Sequence, residues 1–184
     1  MAAPDAFAIR AIRADDALNK LSLGKPEFAP LKTFLRNRAL KFEAGLLART
    51  YVLVASEDAE RGGRVWGYVT LVACEVQTTS QNCPEDETGW PTDLAMPAIK
   101  LARLAVHKEL QGKDLGTQLV GWAMALIIEH VACRVGCRLL VTDAKRGSVG
   151  FYEKLGFTML DTEDNKRRDA PVMFVPLRKL KPAS

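Results

Sequence analysis

The sequence predicts an α+β fold, with a single mixed and mostly antiparallel sheet flanked by helices. Three observations predict it. Two apolar, β-branched runs, Thr50–Ala55 and Arg64–Cys74, flank the turn-forming Glu57–Gly63 and read as an antiparallel hairpin. A strand, a Gly-containing turn, an amphipathic helix and a second strand follow over residues 99–142. A last pair of apolar runs, 157–160 and 171–177, reads as a closing hairpin. The 184 residues suit one domain, 1–184, long enough to bury a sizeable core.

Each element has its own signal. Phe7–Ile12 alternates well enough for a first strand, and Arg13-Ala14-Asp15-Asp16 then offers helix-capping chemistry. Gly24 and Pro26 break regularity after it. A helix is expected from Phe28 to about Leu47, with Phe28, Leu31, Leu35, Leu40 and Phe42 as its apolar side. Lys32, Arg36, Arg38 and Lys41 stand largely opposite. Such a charge row reads first as solvated surface and second as a landing face for a polyanion such as RNA. Gly67, inside the second strand of the hairpin, marks a bulge or a close backbone approach. Glu75 ends that strand; an exposed strand-end charge is preferred there over a general base. Residues 76–96 are polar, carry two prolines and read as a surface loop.

Ile99–Val106 alternates as a strand and leads into His107–Thr117. Leu115, Leu119, Val120, Ala123, Leu126, Ile127 and Val131 then recur at helical spacing. The turn therefore joins a strand's end to a helix's start. The first amides of a helix have no internal partner, and the helix dipole adds partial positive charge, so the turn suits a phosphate or pyrophosphate. Gly112 and Gly116 let the backbone come close. Arg138–Thr142 is the next strand, and Ser148–Lys154 is a short helix ended by Gly156. Lys166, Arg167, Arg168, Arg178, Lys179 and Lys181 form a second basic cluster, read first as solvated surface.

Composition excludes several classes. Hydrophobic residues make up 48% and charged residues 26%, which argues against disorder. The N-terminus has no basic stretch leading into an apolar one, so no secretory signal is expected. No run reaches the roughly 18 apolar residues of a membrane span. The cysteines, Cys74, Cys83, Cys133 and Cys137, are expected as reduced thiols in a cytoplasmic protein. With only His107 and His130 beside them, no metal site is expected. A net charge of +4 permits an anionic partner without requiring one.

One combination carries more. Arg103-Leu104-Ala105-Val106, then Gln111 with Gly116 opening a helix, then Phe151-Tyr152-Glu153-Lys154-Leu155-Gly156-Phe157, resembles the GNAT superfamily of acetyl-CoA-dependent N-acetyltransferases. The resemblance is firmest over residues 99–160. It implies a GNAT fold with splayed central parallel strands and acetyl-CoA as co-substrate. It implies that Leu104, Ala105 and Val106 offer backbone contacts to the pantetheine. Gln111, Gly112, Lys113, Asp114, Leu115, Gly116 and Thr117 would hold the pyrophosphate, and Lys145, Ser148 and Phe151 would lie on the cofactor. Tyr152 matches the family's tyrosine, the acid that protonates the leaving thiolate; a phenol within hydrogen-bond reach can do that. The chain departs from the family at Asp114, where the pattern has glycine, at Lys145, where asparagine is frequent, and at Ser148, where alanine is. A carboxylate beside a pyrophosphate repels it, unless Asp114 points away or caps the helix.

Lys25–Phe28, Leu31–Leu35 and Gly45–Val52, together with Gly67-Tyr68 and Arg103–Val106, are similar to the toxin acetyltransferases of bacterial toxin–antitoxin pairs. That branch implies aminoacyl-tRNA as the acceptor, a small ribbon-helix-helix antitoxin as partner, and no dedicated carboxylate base. A homodimer is expected, and no membrane. Two alternatives remain: acetylation of a small-molecule or protein amine, and a non-catalytic binding module whose turn is spoiled by Asp114.

Overall fold

The structure is a computed structural model that describes residues 6–77 and 95–180. The loop expected over 76–96 therefore lies mostly outside the described residues, as does Cys83. The strands are β1 (Phe7–Ala11), β2 (Arg49–Ala55), β3 (Gly67–Val76), β4 (Met96–Val106), β5 (Leu139–Asp143), β6 (Thr158–Met159) and β7 (Val172–Pro176). The helices are α1 (Ala29–Asn37), α2 (Ala39–Ala44), α3 (Leu115–Leu126), α4 (Val149–Lys154) and α5 (Glu163–Arg167). Among the described residues the sheet order is β1-β2-β3-β4-β5-β7-β6. β4 and β5 run parallel, while β1 with β2, β2 with β3, β5 with β7 and β6 with β7 are antiparallel. This is the mixed, mostly antiparallel sheet expected from the sequence. The chain forms two compact units, Met1–Val72 with Ala102–Ala123, and Ala73–Leu101 with Met124–Ser184.

In the first unit, α1 lays Phe34 and Leu35 into a core with Leu21, Val52, Val54, Val65 and Tyr68. Burying a side chain such as Leu35 contributes about 2 kcal/mol, and truncating it to alanine would cost about 2–5 kcal/mol. The single helix expected over 28–47 is bent at Arg38, whose φ of −126° and ψ of −29° leave the helical range. Backbone bonds still run through the bend, from Arg38 N to Phe34 O at 2.9 Å and from Phe42 N to Arg38 O at 2.9 Å. Glu43 then ties α2 to β2, accepting from Arg49 Nη1 at 2.6 Å and from Thr50 N at 2.9 Å.

Asp16 closes the start of this unit. Its carboxylate accepts both Arg10 terminal nitrogens, at 3.0 and 2.6 Å, and the amides of Arg13 and Gly63, at 2.7 and 3.1 Å. Burial alone pushes that carboxyl up; the Arg10 pair and the two amides outweigh it, so it sits below the usual range. Gly67 is a close approach: a Cβ there would meet the Ala105 carbonyl oxygen at 3.0 Å and Leu119 Cδ1 at 3.2 Å.

In the second unit Met96, Ala98, Leu139 and Val141 form the core, with Cys74, Val76 and Phe174 against it. β4 pairs with β5 over Ala98–Lys100 and Leu139–Val141. At Leu101 a side chain takes over: buried Thr142 donates from Oγ1 to the Leu101 carbonyl at 3.0 Å. Lys100 pairs with Asp143 on the other face of the two strands. The segment expected to be the loop of the last hairpin contains α5. Thr162 caps it, accepting from Asn165 N at 3.2 Å. Buried Asn165 donates to the Leu160 and Val172 carbonyls at 2.9 and 3.0 Å and accepts from Val172 N at 2.7 Å. One side chain thus stitches the connection to β7. Lys166 of the expected basic cluster is drawn to Asp161 and Glu163.

Candidate active site: a backbone cradle and a buried tyrosine

The expected site residues fall in both units. The first holds β4 from Ala102 onward, the turn and most of α3. β4 ends at Val106, and His107 follows, only 2% exposed. Its backbone N–H donates to the Trp66 carbonyl at 2.7 Å, and Lys108 N donates to the Ser22 carbonyl at 2.7 Å. The imidazole lies edge-on to the Trp66 ring at 5.2 Å, with Arg64 Nη2 3.3 Å from Nε2. Burial pushes its pKa down; Glu109 opposes this, Arg64 and Lys108 add to it, and the net shift is downward, so the ring is neutral at pH 7. In the sequence His107 reads only as a candidate metal ligand. It is instead the brace that fixes where the turn leaves the strand. No sequence signal distinguishes that role, because Trp66 and Ser22 are distant in the chain.

The turn has two left-handed residues, Gly112 at φ +74° and Asp114 at φ +63°. Aspartate is among the few side chains that adopt this region readily. Asp114 therefore keeps the backbone shape that a glycine would give, at a cost of about 1 kcal/mol. Gln118 N donates to the Asp114 carbonyl at 3.1 Å, so Asp114 leads α3, and the amides of Leu115, Gly116 and Thr117 come before the first helical bond. Those amides at a helix start, beside exposed turn residues, fit a pyrophosphate. Gln111 does not extend its side chain outward: Nε2 donates to the Val106 carbonyl at 2.9 Å and to the Leu23 carbonyl at 3.4 Å. It braces the turn with its side chain.

The second unit holds Tyr152, on α4 and 7% exposed. Its ring is edge-on to Phe151 at 5.1 Å and to Phe157 at 5.3 Å. Burial pushes its phenol up, opposed in part by a hydrogen bond with the Thr142 hydroxyl. Thr142 gives its own proton to the Leu101 carbonyl at 3.0 Å. A phenol raised in this way is fully protonated at pH 7 and is an acid, not a base. Lys145 and Ser148 flank one tight turn, with Ser148 N donating to the Lys145 carbonyl at 2.7 Å. Glu75 is exposed at the end of β3, as the strand-end reading expects. Among the described residues no cluster of three or more His, Cys, Asp or Glu could hold a metal ion.

A family described as an acetyltransferase (GNAT) domain matches residues 48–159. Solved structures match along nearly the whole chain. AtaTR bound with AcCoA is 25% identical, with a TM-score of 0.72, covering 96% of this chain and 96% of that one. AtaT complexed with acetyl-methionyl-tRNAfMet is 24% identical, with a TM-score of 0.78, covering 95% and 96%. A tyrosine-to-phenylalanine mutant of the AtaT toxin, bound to the C-terminus of the antitoxin AtaR and acetyl-CoA, is 23% identical, with a TM-score of 0.74, covering 95% of each.

Proposed function

The chain belongs to the GNAT acetyltransferases, and on that footing we propose that it moves the acetyl group of acetyl-CoA to the α-amine of an aminoacyl-tRNA. Acetyl-CoA supplies the acetyl group as a thioester and departs as the free thiol. The backbone of Leu104, Ala105 and Val106 meets the pantetheine arm in this reading. The turn from Gly112 through Thr117, braced by Gln111, holds the pyrophosphate, with Lys145, Ser148 and Phe151 along the rest of the cofactor. Tyr152 gives its phenolic proton to the departing sulfur. As the phenolate forms, the Thr142 hydroxyl is free to turn from the Leu101 carbonyl and donate to it. That rotation stabilises the charge in a site that water reaches poorly.

The observation that carries the acceptor is the basic face of α1 and α2. Lys32, Arg36, Arg38 and Lys41 have no carboxylate partner among the described residues, and Arg36, Arg38 and Lys41 are exposed. Unpaired cations in a row suit a polyanion, whose phosphates supply much of the affinity. The likeness to AtaT complexed with acetyl-methionyl-tRNAfMet supports the same acceptor. The likeness to AtaT bound to the C-terminus of the antitoxin AtaR supports an antitoxin partner, which the sequence resemblance makes a small ribbon-helix-helix protein. Exposed Leu46 and Leu47, at 77% and 61%, support pairing with a second copy of the chain. Such a protein works in the cytoplasm, where charged tRNA is found. No helix among the described residues is long and apolar enough to cross a membrane.

The test is mass spectrometry of a full set of aminoacylated tRNAs after incubation with acetyl-CoA. Acetylated aminoacyl ends on at least one tRNA are expected. Unmodified ends across the set, with acetylation of free amines or peptides instead, would overturn the acceptor.

A further inference from the structure

We infer that a cavity beneath the first half of α1 is the subsite for the 3′-terminal nucleotide of the RNA acceptor, an inference that rests on the acceptor proposed above. The cavity lies within the first unit and measures about 430 Å³. Ala29, Pro30, Thr33, Phe34, Arg38 and Arg103 line it. That volume is in the range of small-molecule sites and exceeds what a lone phosphate needs.

Its chemistry is one-sided. Two arginines, Arg38 and Arg103, line it, and neither has a carboxylate partner among the described residues. The group closest in kind to a counter-charge is Tyr68, whose phenol burial pushes up and Arg103 only partly brings down. Tyr68 is neutral at pH 7, and its hydroxyl donates to the Leu31 carbonyl at 2.8 Å. Arg38 is exposed to solvent, whereas Arg103 is half-buried with no anion beside it among the described residues. A half-buried arginine without one is a standing electrostatic cost that a bound phosphate would remove.

Arg103 also lies over an aromatic ring. Its guanidinium carbon lies 3.9 Å from the centroid of the Phe34 ring. Phe34 is fixed from the side by Phe42, edge-on at 5.4 Å. An arginine over an aromatic ring is a cationic surface of the kind on which unpaired nucleobases stack. Thr33 adds a hydroxyl, and Ala29 and Pro30 add an apolar wall for a sugar. Arg38 stands at the bend between α1 and α2, and Lys32, Arg36 and Lys41 continue the positive charge along the same helices for the phosphates that precede the last one. A phosphate-bearing nucleotide at a chain end satisfies every lining group, whereas an inorganic anion leaves the stacking surface and the apolar wall unused.

The experiment compares deacylated tRNA with the same tRNA lacking its 3′-terminal nucleotide, by fluorescence anisotropy. The variants are Arg38→Gln, Arg103→Gln, Arg103→Lys and Thr33→Trp. The wild type is expected to bind the complete tRNA about tenfold tighter, the usual weight of one stacked nucleotide. Arg38→Gln, Arg103→Gln and Thr33→Trp should bring the two RNAs to within about twofold of each other, with Thr33→Trp leaving the trimmed RNA unaffected. Arg103→Lys, which keeps the charge and loses the plane, should retain only part of the preference. Calorimetric binding of acetyl-CoA should match wild type in all four, which also shows that they fold.

Equal affinity of the wild type for both RNAs overturns the inference; if that same protein acetylates an aminoacyl-tRNA, the acceptor reading survives and only the subsite falls. Equal weakening of both RNAs in the arginine variants also overturns it, because the arginines then contact backbone phosphates generally. Loss of an acidic peptide probe in those variants, with both RNAs unaffected, assigns the cavity to a protein partner and overturns it too. Failure to acetylate any aminoacyl-tRNA removes the acceptor and the subsite together.

Discussion

Each unit buries one tyrosine with a raised pKa, and the two differ in what their hydroxyls meet. Tyr68, 0% exposed, donates to the Leu31 carbonyl at 2.8 Å. A carbonyl only accepts, so this bond holds α1 against β3 and can do nothing for a phenolate. Tyr152, 7% exposed, meets the Thr142 hydroxyl, which both accepts and donates. Burial raises both phenols. The partner, and not the burial, separates a structural tyrosine from one equipped to lose a proton and take a hydrogen bond back.

That contrast can be broken or sharpened in four ways. The largest effect is expected from Tyr152→Phe. Turnover should fall by about 100-fold or more while acetyl-CoA binding persists, as stopped-flow thiol release and calorimetry would read. Undiminished turnover removes Tyr152 from its role.

Thr142→Val comes next. It deletes the returning hydrogen bond, so turnover should fall about tenfold. Because that bond lowers the phenol's pKa, its loss should also move the alkaline limb of the pH–rate profile upward. Thr142→Ser should restore both. A uniform loss of rate with an unmoved pH limb would mean that Thr142 serves packing alone.

Tyr68→Phe should leave turnover near wild type and lower stability by about 1–2 kcal/mol, since it leaves the Leu31 carbonyl without its donor. Urea unfolding reads this through a lower midpoint at constant slope. A large loss of turnover instead would erase the distinction between the two tyrosines.

The smallest effect is expected from Asp114→Gly. The turn already has the left-handed shape, so only strain and charge change. Stability should stay within about 1 kcal/mol and acetyl-CoA should bind about threefold tighter. No binding by the wild type, regained in the variant, would show that Asp114 does obstruct the cofactor.

The legible parts of the fold were those written in short stretches of sequence. The strands were visible from β-branched runs, α3 from its apolar spacing, and Gly67 as a bulge or a close approach, of which the structure shows the second. Tyr152 stood in a compact motif, Phe151–Phe157, that could be read without knowing its neighbours. What escaped depends on residues far apart in the chain. Thr142 as the partner of Tyr152, and Trp66 as the anchor of His107, exist only once strands have paired. Gln111 was assigned to the pyrophosphate, but its side chain turns to Val106 and Leu23, a choice set by tertiary packing. The bend at Arg38 follows no Pro or Gly and had no local signal. One miss was avoidable: Thr162, followed by acidic Glu163 and Asp164, is a helix-start pattern that announces α5.

The register of β5 with β7 sets a condition on biosynthesis. Thr142 lies opposite Met173, and Leu139 opposite Pro176. The strand that carries the tyrosine's partner thus waits for a segment that follows every residue assigned to the chemistry. A nascent chain halted before Val172 has every residue assigned to the chemistry but no neighbour on that edge of β5. A stop codon placed just ahead of β7 should therefore yield a protein without turnover although no site residue is missing.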